Sequence, residues 1–524
     1  MNKEYCNGFE LHEKLLKGVD TLTKNVAATL GPKGRNVIIH RKNTNPFITK
    51  DGVTIAKFVD LSDPFENAAA QIIKEAALNT NIMAGDGTTT SIVLTQKLIS
   101  EAQKYLRSGI SPVELKRGMD TAVEEVIEYL TTNAKQVSSK KDIANVATIS
   151  ANGDKTIGEL IAMAIDQAGK NGSVSIEEAR SAETSLELIE GFAFDSGYVS
   201  PSFITDERTG AVKHENCLFF ITDHKLETLD EVLPVLELAA RESRPFIIIA
   251  DDIKGQFLAA LIANSLRGSM KVAAIKAPFY GEQRQEILSD LALSTGATFI
   301  KRESGISFKE IKLSHFGKAK NIEIYKNKTI IAGGKADYKQ VEEKIETIKE
   351  QIKSEDSMQI CERLQERITR LVSGVAVIKV GAASQIELVE KVHRIEDALG
   401  AVRAAQLGGI HAGGGVGLVR ASKKIKVPKK LPEEQKIGFK IVLTAIKEPI
   451  KQMARNAGES PDIILSSVEK TSGSVGYDFV SRKIIDLVEA GIIDPVRVTC
   501  CALRNAVSVA STLITTTCAI VEGE

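Results

Sequence analysis

Gly85-Asp86-Gly87-Thr88-Thr89-Thr90 is the stretch on which the reading of this chain turns. Glycine on either side of an aspartate permits a backbone reversal that other residues resist. The three threonines that follow read as the first turn of a helix, where amide N–H groups lack partners within the helix and favour an anion. Asp86 is a hard oxygen ligand of the kind magnesium takes. Taken alone, such a turn is more often a plain helix start than a phosphate cradle.

Working outward, three further segments have the same character: Thr29-Leu30-Gly31-Pro32-Lys33-Gly34-Arg35-Asn36, Lys50-Asp51-Gly52 and Ala412-Gly413-Gly414-Gly415. Neither a Walker A loop nor G-x-G-x-x-G is present, so a nucleotide would need a cradle of another kind.

The segments between them set the architecture. Leu11, Leu15, Val19, Leu22 and Val26 recur at spacings of three and four, predicting a helix over 11–30 that stops at Gly31-Pro32. Short strands are expected over 36–40 and 47–50, and helices over 66–79 and from Thr88. A further helix is expected from Ser111 to Leu130, with Ser111 capping, Pro112 at the first position and Glu114 at the third. The middle of the chain alternates strand-like 245–250, 271–276 and 298–301 with helical 254–267 and 282–293. That alternation predicts βαβ units and a parallel sheet. A helical hairpin follows over 339–371, broken near 354–357, then a strand over 375–381 and a helix over 386–406. Helix, then α/β, then helix suggests one domain inserted into another.

Composition narrows the function classes. A chain of 524 residues is expected to form several domains. Lysine plus arginine number 68, as do aspartate plus glutamate, which gives no broad reason to expect nucleic acid or an anionic membrane as partner. The basic run Lys423 to Lys430 reads as a solvated loop. Met1 to Phe9 has no apolar run, and 507–521 is short and interrupted by serine and threonine, so neither a signal peptide nor a membrane span is expected and the chain reads as cytosolic. Cys6, Cys217, Cys361, Cys500, Cys501 and Cys518 show no C-x-x-C and read as free thiols. No convergent nucleophile–base pair marks a metabolic enzyme.

Six segments together carry a resemblance. Leu30-Gly31-Pro32-Lys33-Gly34-Arg35-Asn36, Gly85 to Thr90, Leu364-Gln365-Glu366-Arg367, Val375 to Ala382, Glu396-Asp397-Ala398-Leu399 and Ala412 to Gly415 resemble the signatures of the group I chaperonin (GroEL) family. They stand in family order and spacing, and the resemblance covers essentially the whole chain. It implies a multidomain α+β, GroEL-like fold. The parts would be a mainly helical equatorial ATP-binding domain from both chain ends (1–132 and 408–524), a small α/β intermediate hinge domain (133–189 and 376–407) and an inserted α/β apical domain (190–375). It also implies seven-membered rings of identical subunits, a co-chaperonin of the GroES type, non-native polypeptides as clients, and ATP with Mg2+, with K+ admitted as a further cation.

Residue by residue, the resemblance places Thr29, Leu30, Gly31, Pro32, Lys50, Asp86, Gly87, Thr88, Thr89, Thr90 and Gly414 around the nucleotide, with Asp86 on the metal. Asp494 would approach the ribose, and Asp478, Phe479 and Val480 would lie near the adenine. Asp397 and Asp51 would orient or activate the attacking water. Clients would meet Tyr198, Phe203, Leu233, Leu236, Leu258 and Ile262, although Leu236 and Leu258, read singly, look like helix core.

The chain also departs from the family. Gly476-Tyr477-Asp478-Phe479-Val480 replaces Gly-Tyr-Asn-Ala-Ala, with an acid for an amide and a phenylalanine that could stack on the base or fill its place. Ser202 and Ala263 replace a tyrosine and a valine, and Pro278-Phe279-Tyr280-Gly281 replaces Pro-Gly-Phe-Gly. An Arg–Glu pair between neighbouring subunits becomes Ser196 and Gln385, and a basic–acid contact between rings reads Lys451 and Ser460. Two functional classes stay open: an ATP-driven folding chaperonin, and a non-cycling holdase, scaffold or modulator of the same fold. Retention of Asp51, Asp86 and Asp397 favours the first, as a specialised paralogue.

Overall fold

Leu11, Leu15, Val19, Leu22 and Val26 do share one buried helix face, on Gly8–Ala27. The structure, a computed structural model, describes residues 3–40, 46–137, 139–169, 173–179, 181–355, 357–372 and 374–522. Its chain divides into two compact units, 1–162 with 381–524, and 163–380.

The first unit is mainly helical. Gly8–Ala27, Pro64–Ala84, Thr88–Leu106, Pro112–Thr132, Glu433–Ala445 and Val496–Thr515 pack around a single apolar core. The strands Lys3–Asn7 and Cys518–Glu522 pair antiparallel, joining the two ends. Two further ribbons serve the site described below: Val37–Ile39 with Phe47–Thr49, and Ile410–Ala412 with Ile493–Pro495.

Two expectations for this unit need correction. Ser111 precedes the helix Pro112–Thr132, yet its side chain makes no capping bond, and Glu114 binds Arg117 and Gln435 instead of closing a box. Among the described residues Val496–Thr515 is long and apolar enough to cross a membrane, with mean hydropathy 1.3. It begins at Val496, ahead of the stretch judged from sequence, and keeps Ser508, Ser511, Thr512 and Thr515 within it. Because 67% of it is buried against Thr88–Leu106, Pro64–Ala84 and Pro112–Thr132, it is a core helix.

The second unit is built on an eight-stranded sheet. In spatial order its strands are Val272–Lys276, Phe246–Ala250, Val212–Ile221, Gly317–Ile324, Thr329–Gly334, Ser185–Phe194, Gly374–Val380 and Ser173–Glu178. The expected βαβ pattern holds for the first three, which run parallel through the helices Leu229–Arg241 and Gly255–Leu266. The sheet as a whole is mixed, because a hairpin joins Gly317–Ile324 to Thr329–Gly334 and the pairings from Val212–Ile221 through to Gly374–Val380 are antiparallel. The strand expected at 298–301 reduces to one bridge, Thr222 to Ile300.

The helical hairpin is present as Tyr338–Ser354 and Met358–Val372. On the second helix, Arg367 binds Asp290 through two 2.9 Å bonds, and both residues are buried. One signature segment thus ties that helix to Gly281–Thr295 by a bidentate ion pair.

Candidate active site

A helix must end and another begin within three residues at Gly85-Asp86-Gly87. Gly85 (φ 75°) closes Pro64–Ala84 and Gly87 (φ 93°) precedes Thr88–Leu106, both in the left-handed region that glycine enters without strain. No side chain caps the Thr88 helix, so its first-turn amides face outward with the threonine hydroxyls. They open into a cleft of about 340 Å3 in the first unit.

Segments far apart in sequence line that cleft. Thr29, Leu30, Gly31 and Pro32 come from the turn after the first helix, and Lys50 and Asp51 from the end of the Phe47–Thr49 strand. Asp86, Gly87, Thr88, Thr89 and Thr90 form the helix start, and Gly414 comes from the glycine turn. Asp478, Phe479, Val480 and Asp494 come from the last fifty residues, and Asp397 from the helix Gln385–Gly408. Every residue expected around a nucleotide is therefore on one surface.

The local chemistry suits a polyanion with a divalent cation. Lys50 Nζ reaches Gly31 O at 3.3 Å, and burial, together with the Arg394 charge, lowers its pKa. Thr29 Oγ1 lies 3.5 Å from Thr89 Oγ1. Gly414 (φ 63°) has nothing within 4 Å of where a Cβ would stand, so its α-carbon faces open space. Asp86 accepts from the Gly87 amide and from Ser150 Oγ at 2.7 Å. Burial raises its pKa against those bonds, and the charges of Asp494 and Asp51 push it further up. Such crowding of carboxylates favours a cation. No cluster of three metal-ligating side chains occurs among the described residues, so magnesium would sit on Asp86 and on oxygens of its ligand.

Other members have structural partners as well. Asp51 caps the helix Gly52–Phe58, accepting from the amides of Val53 (3.1 Å) and Thr54 (3.0 Å) and from Thr54 Oγ1 (2.6 Å). Asp494 accepts from the amides of Gly414 and Gly415, although burial holds its pKa above the usual range. Asp397 is half-buried, and Arg394 one turn earlier pairs with Asp154 at 3.5 Å and with Glu390.

The substituted segment near the proposed base site resolves into separate parts. Asp478 accepts from the amides of Val480 (2.9 Å) and Ser481 (3.0 Å). Burial would raise its pKa, but the Ser481 hydroxyl, these amides and Lys33 hold it below the usual value. Phe479 is buried among Val416, Ile450 and Met453 and meets Tyr477 edge-on at 5.1 Å, forming part of the cleft wall. Val480 is exposed.

Sequence reasoning missed Asn456. Its Nδ2 donates to Ala27 O (2.8 Å) and Leu30 O (2.9 Å), fastening the turn that carries Thr29 to Pro32. Its position at the end of the helix Glu448–Asn456 gave no signal beyond a polar residue at a helix terminus.

In the second unit the expected client-binding residues divide. Leu233 is exposed, and Tyr198, Leu258 and Ile262 are partly buried against the core. Phe203 and Leu236 are 1% and 6% exposed, so in this conformation they are core and offer no surface. Ser202 is exposed and Ala263 half-buried. Phe279 takes a positive φ of 62°, steadied by two bonds from the Arg284 guanidinium to its carbonyl. Beside it Tyr280 is 82% exposed. Ser196 Oγ donates to Lys276 O, and in the first unit Lys451 pairs with Asp462 at 2.7 Å.

The model of the TCP-1/cpn60 chaperonin family matches residues 22–524. Among solved structures the chain is similar to the chaperonin gp146 from bacteriophage EL 2 (Pseudomonas aeruginosa), crystallised in the presence of ATP-BeFx. The two are 20% identical, 99% of each chain is covered, and the TM-score is 0.66.

Proposed function

The chain belongs to the TCP-1/cpn60 chaperonin family, with the GroEL-like fold, and from that premise we propose that it is an ATP-dependent chaperone that binds non-native polypeptides and refolds them through a ring cycle. The observation that carries this reading is the convergence of loops from both chain ends, together with Asp397, on one cleft.

In this reading the amides and hydroxyls of Thr88 to Thr90 and Lys50 hold the triphosphate, and the Gly414 turn lies beside the nucleotide. Asp494 faces the ribose, and the wall at Phe479 bounds the base. Magnesium supplies charge neutralisation on the phosphates, with Asp86 as its protein ligand. Asp397 and Asp51 orient the water that attacks the terminal phosphorus. Positioning and charge account for most of the catalysis in such a reaction, so two carboxylates suffice. The equatorial (1–132, 408–524), intermediate (133–189, 376–407) and apical (190–375) divisions, seven-membered rings and a GroES-type lid belong to the same proposal. Exposed apolar residues such as Leu233 would meet clients first, and further apolar surface would come from rearrangement.

Steady-state ATP turnover with magnesium, measured on the full chain and on Asp397→Ala, tests this. Turnover in the unaltered protein that falls about 100-fold in the variant is expected. Absence of magnesium-dependent turnover in the unaltered protein overturns the cycle and leaves a holdase. A dominant monomer in native mass measurement overturns the ring.

A further inference from the structure

His411 lines the cleft without a role in the reading above. It sits in the short strand Ile410–Ala412, directly opposite Asp494 of Ile493–Pro495. Residues opposed in an antiparallel pair project to the same face, with Cβ atoms about 5 Å apart.

Three features of the chain fix the imidazole. Its Nδ1 lies 2.8 Å from Ala412 O, and since a carbonyl only accepts, Nδ1 carries a proton. Its Nε2 lies 3.0 Å from Thr499 Oγ1, whose own hydroxyl can donate to Pro495 O at 3.4 Å. Its ring occupies space left by Gly417, where a Cβ would fall 2.5 Å from Nδ1 and 2.7 Å from Cε1. Each ring nitrogen thus has a partner.

Asp494 is meanwhile committed on one side to the amides of Gly414 and Gly415, in surroundings that oppose its charge. A carboxylate accepts two hydroxyl protons, whereas its protonated form has lost part of that capacity. His411, bonded to Thr499, ties the strand Ile410–Ala412 to the helix Val496–Thr515, which begins two residues after Asp494.

We infer that His411 is a positioning residue that, through Thr499, holds Asp494 in place as the acceptor for the sugar hydroxyls, and so sets how strongly this chain prefers a ribonucleotide to a deoxynucleotide. The inference deepens the proposed nucleotide site and rests on it.

Calorimetric titration of the full chain with ATP, 2′-deoxy-ATP and 3′-deoxy-ATP tests it without requiring turnover. The variants are His411→Val, His411→Gln, Asp494→Asn and the doubly substituted His411→Val with Gly417→Ala, which refills the vacated space. His411→Val is expected to weaken ATP about fivefold, the scale of one lost hydrogen bond. It should leave the deoxy form that lacks the contacted hydroxyl nearly unchanged, so the preference shrinks. The double variant should do the same, and His411→Gln, which keeps a donor, should restore part of it. Equal weakening of all three nucleotides, or no change, overturns the inference and leaves His411 a packing residue. If Asp494→Asn abolishes the preference and the His411 variants do not, the inference fails while the ribose contact stands. If Asp494→Asn leaves the preference intact, the ribose contact fails too, and if the unaltered chain binds no ATP, so does the site.

Discussion

Gly85 and Gly400 meet backbone to backbone: a Cβ on Gly85 would fall 2.4 Å from the Gly400 Cα, and one on Gly400 would fall 2.6 Å from the Gly85 Cα. The helix Gln385–Gly408 is thereby seated on the turn that presents Asp86, and Asp397 lies one turn before the contact. Gly400→Ala forces the two apart. We expect ATP turnover to fall about tenfold and stability to drop by about 1–3 kcal/mol, the usual cost of overpacking. Turnover and thermal melting check this together, and unchanged values in both would dismiss the seat as unimportant.

Asp86 should trade stability for activity. Its carboxyl pKa is raised by burial and by Asp494 and Asp51, so the folded state holds the proton more tightly than the unfolded chain. The sign follows: the ionised group burdens the fold increasingly as pH rises above the ordinary carboxylate range. Asp86→Asn is therefore expected to raise the melting temperature at neutral pH without nucleotide. Loss of the metal ligand should cut turnover about 100-fold or more. A variant that melts lower, or keeps turnover, contradicts the assignment.

Removing Asn456 leaves two carbonyls, Ala27 O and Leu30 O, without their donor. Asn456→Ala should cost about 1–3 kcal/mol and should weaken ATP binding more than turnover at saturation. Separate measurement of KM and kcat distinguishes the two effects. A change in kcat alone would place Asn456 in a different role.

His214, on the strand Val212–Ile221, is pushed down to about 4 by burial and then by Lys271. The unfolded chain takes up that proton first, so stability is full above the ordinary value of 6.5, falls as pH drops from there towards 4, and levels off below. The loss is on the order of 3 kcal/mol. Denaturant titrations of the full chain and of His214→Gln across that range should show the slope in the first and a flatter profile in the second.

The legible parts of this molecule were those governed by short-range rules. Apolar spacing marked Gly8–Ala27 to within a turn, and the glycine-bounded Asp86 marked a real helix junction. Four of the six signature segments line the cleft, and in them a Cβ on Gly31, Gly85 or Gly415 would fall 2.7, 2.4 or 3.2 Å from a neighbour. What escaped depends on long-range packing. Ser111 looks like a cap, but Glu114 is drawn away to Gln435, more than three hundred residues later. Phe203 and Leu236 read as surface on resemblance and are enclosed by the sheet core. Strand direction in the 163–380 unit could not follow from local alternation, since the strand Gly374–Val380, which comes last in that unit, inserts between Ser173–Glu178 and Ser185–Phe194, which come first.

The pairing of Lys3–Asn7 with Cys518–Glu522 has a consequence for biogenesis. On the ribosome the opening helices emerge long before Val496–Thr515, the segment that covers them. Residues 163–380 are released as a complete set well ahead of that closure. The inserted unit can thus finish while the other waits half-made with oily faces uncovered, so the nascent subunit is itself a client for protection until its final strand arrives.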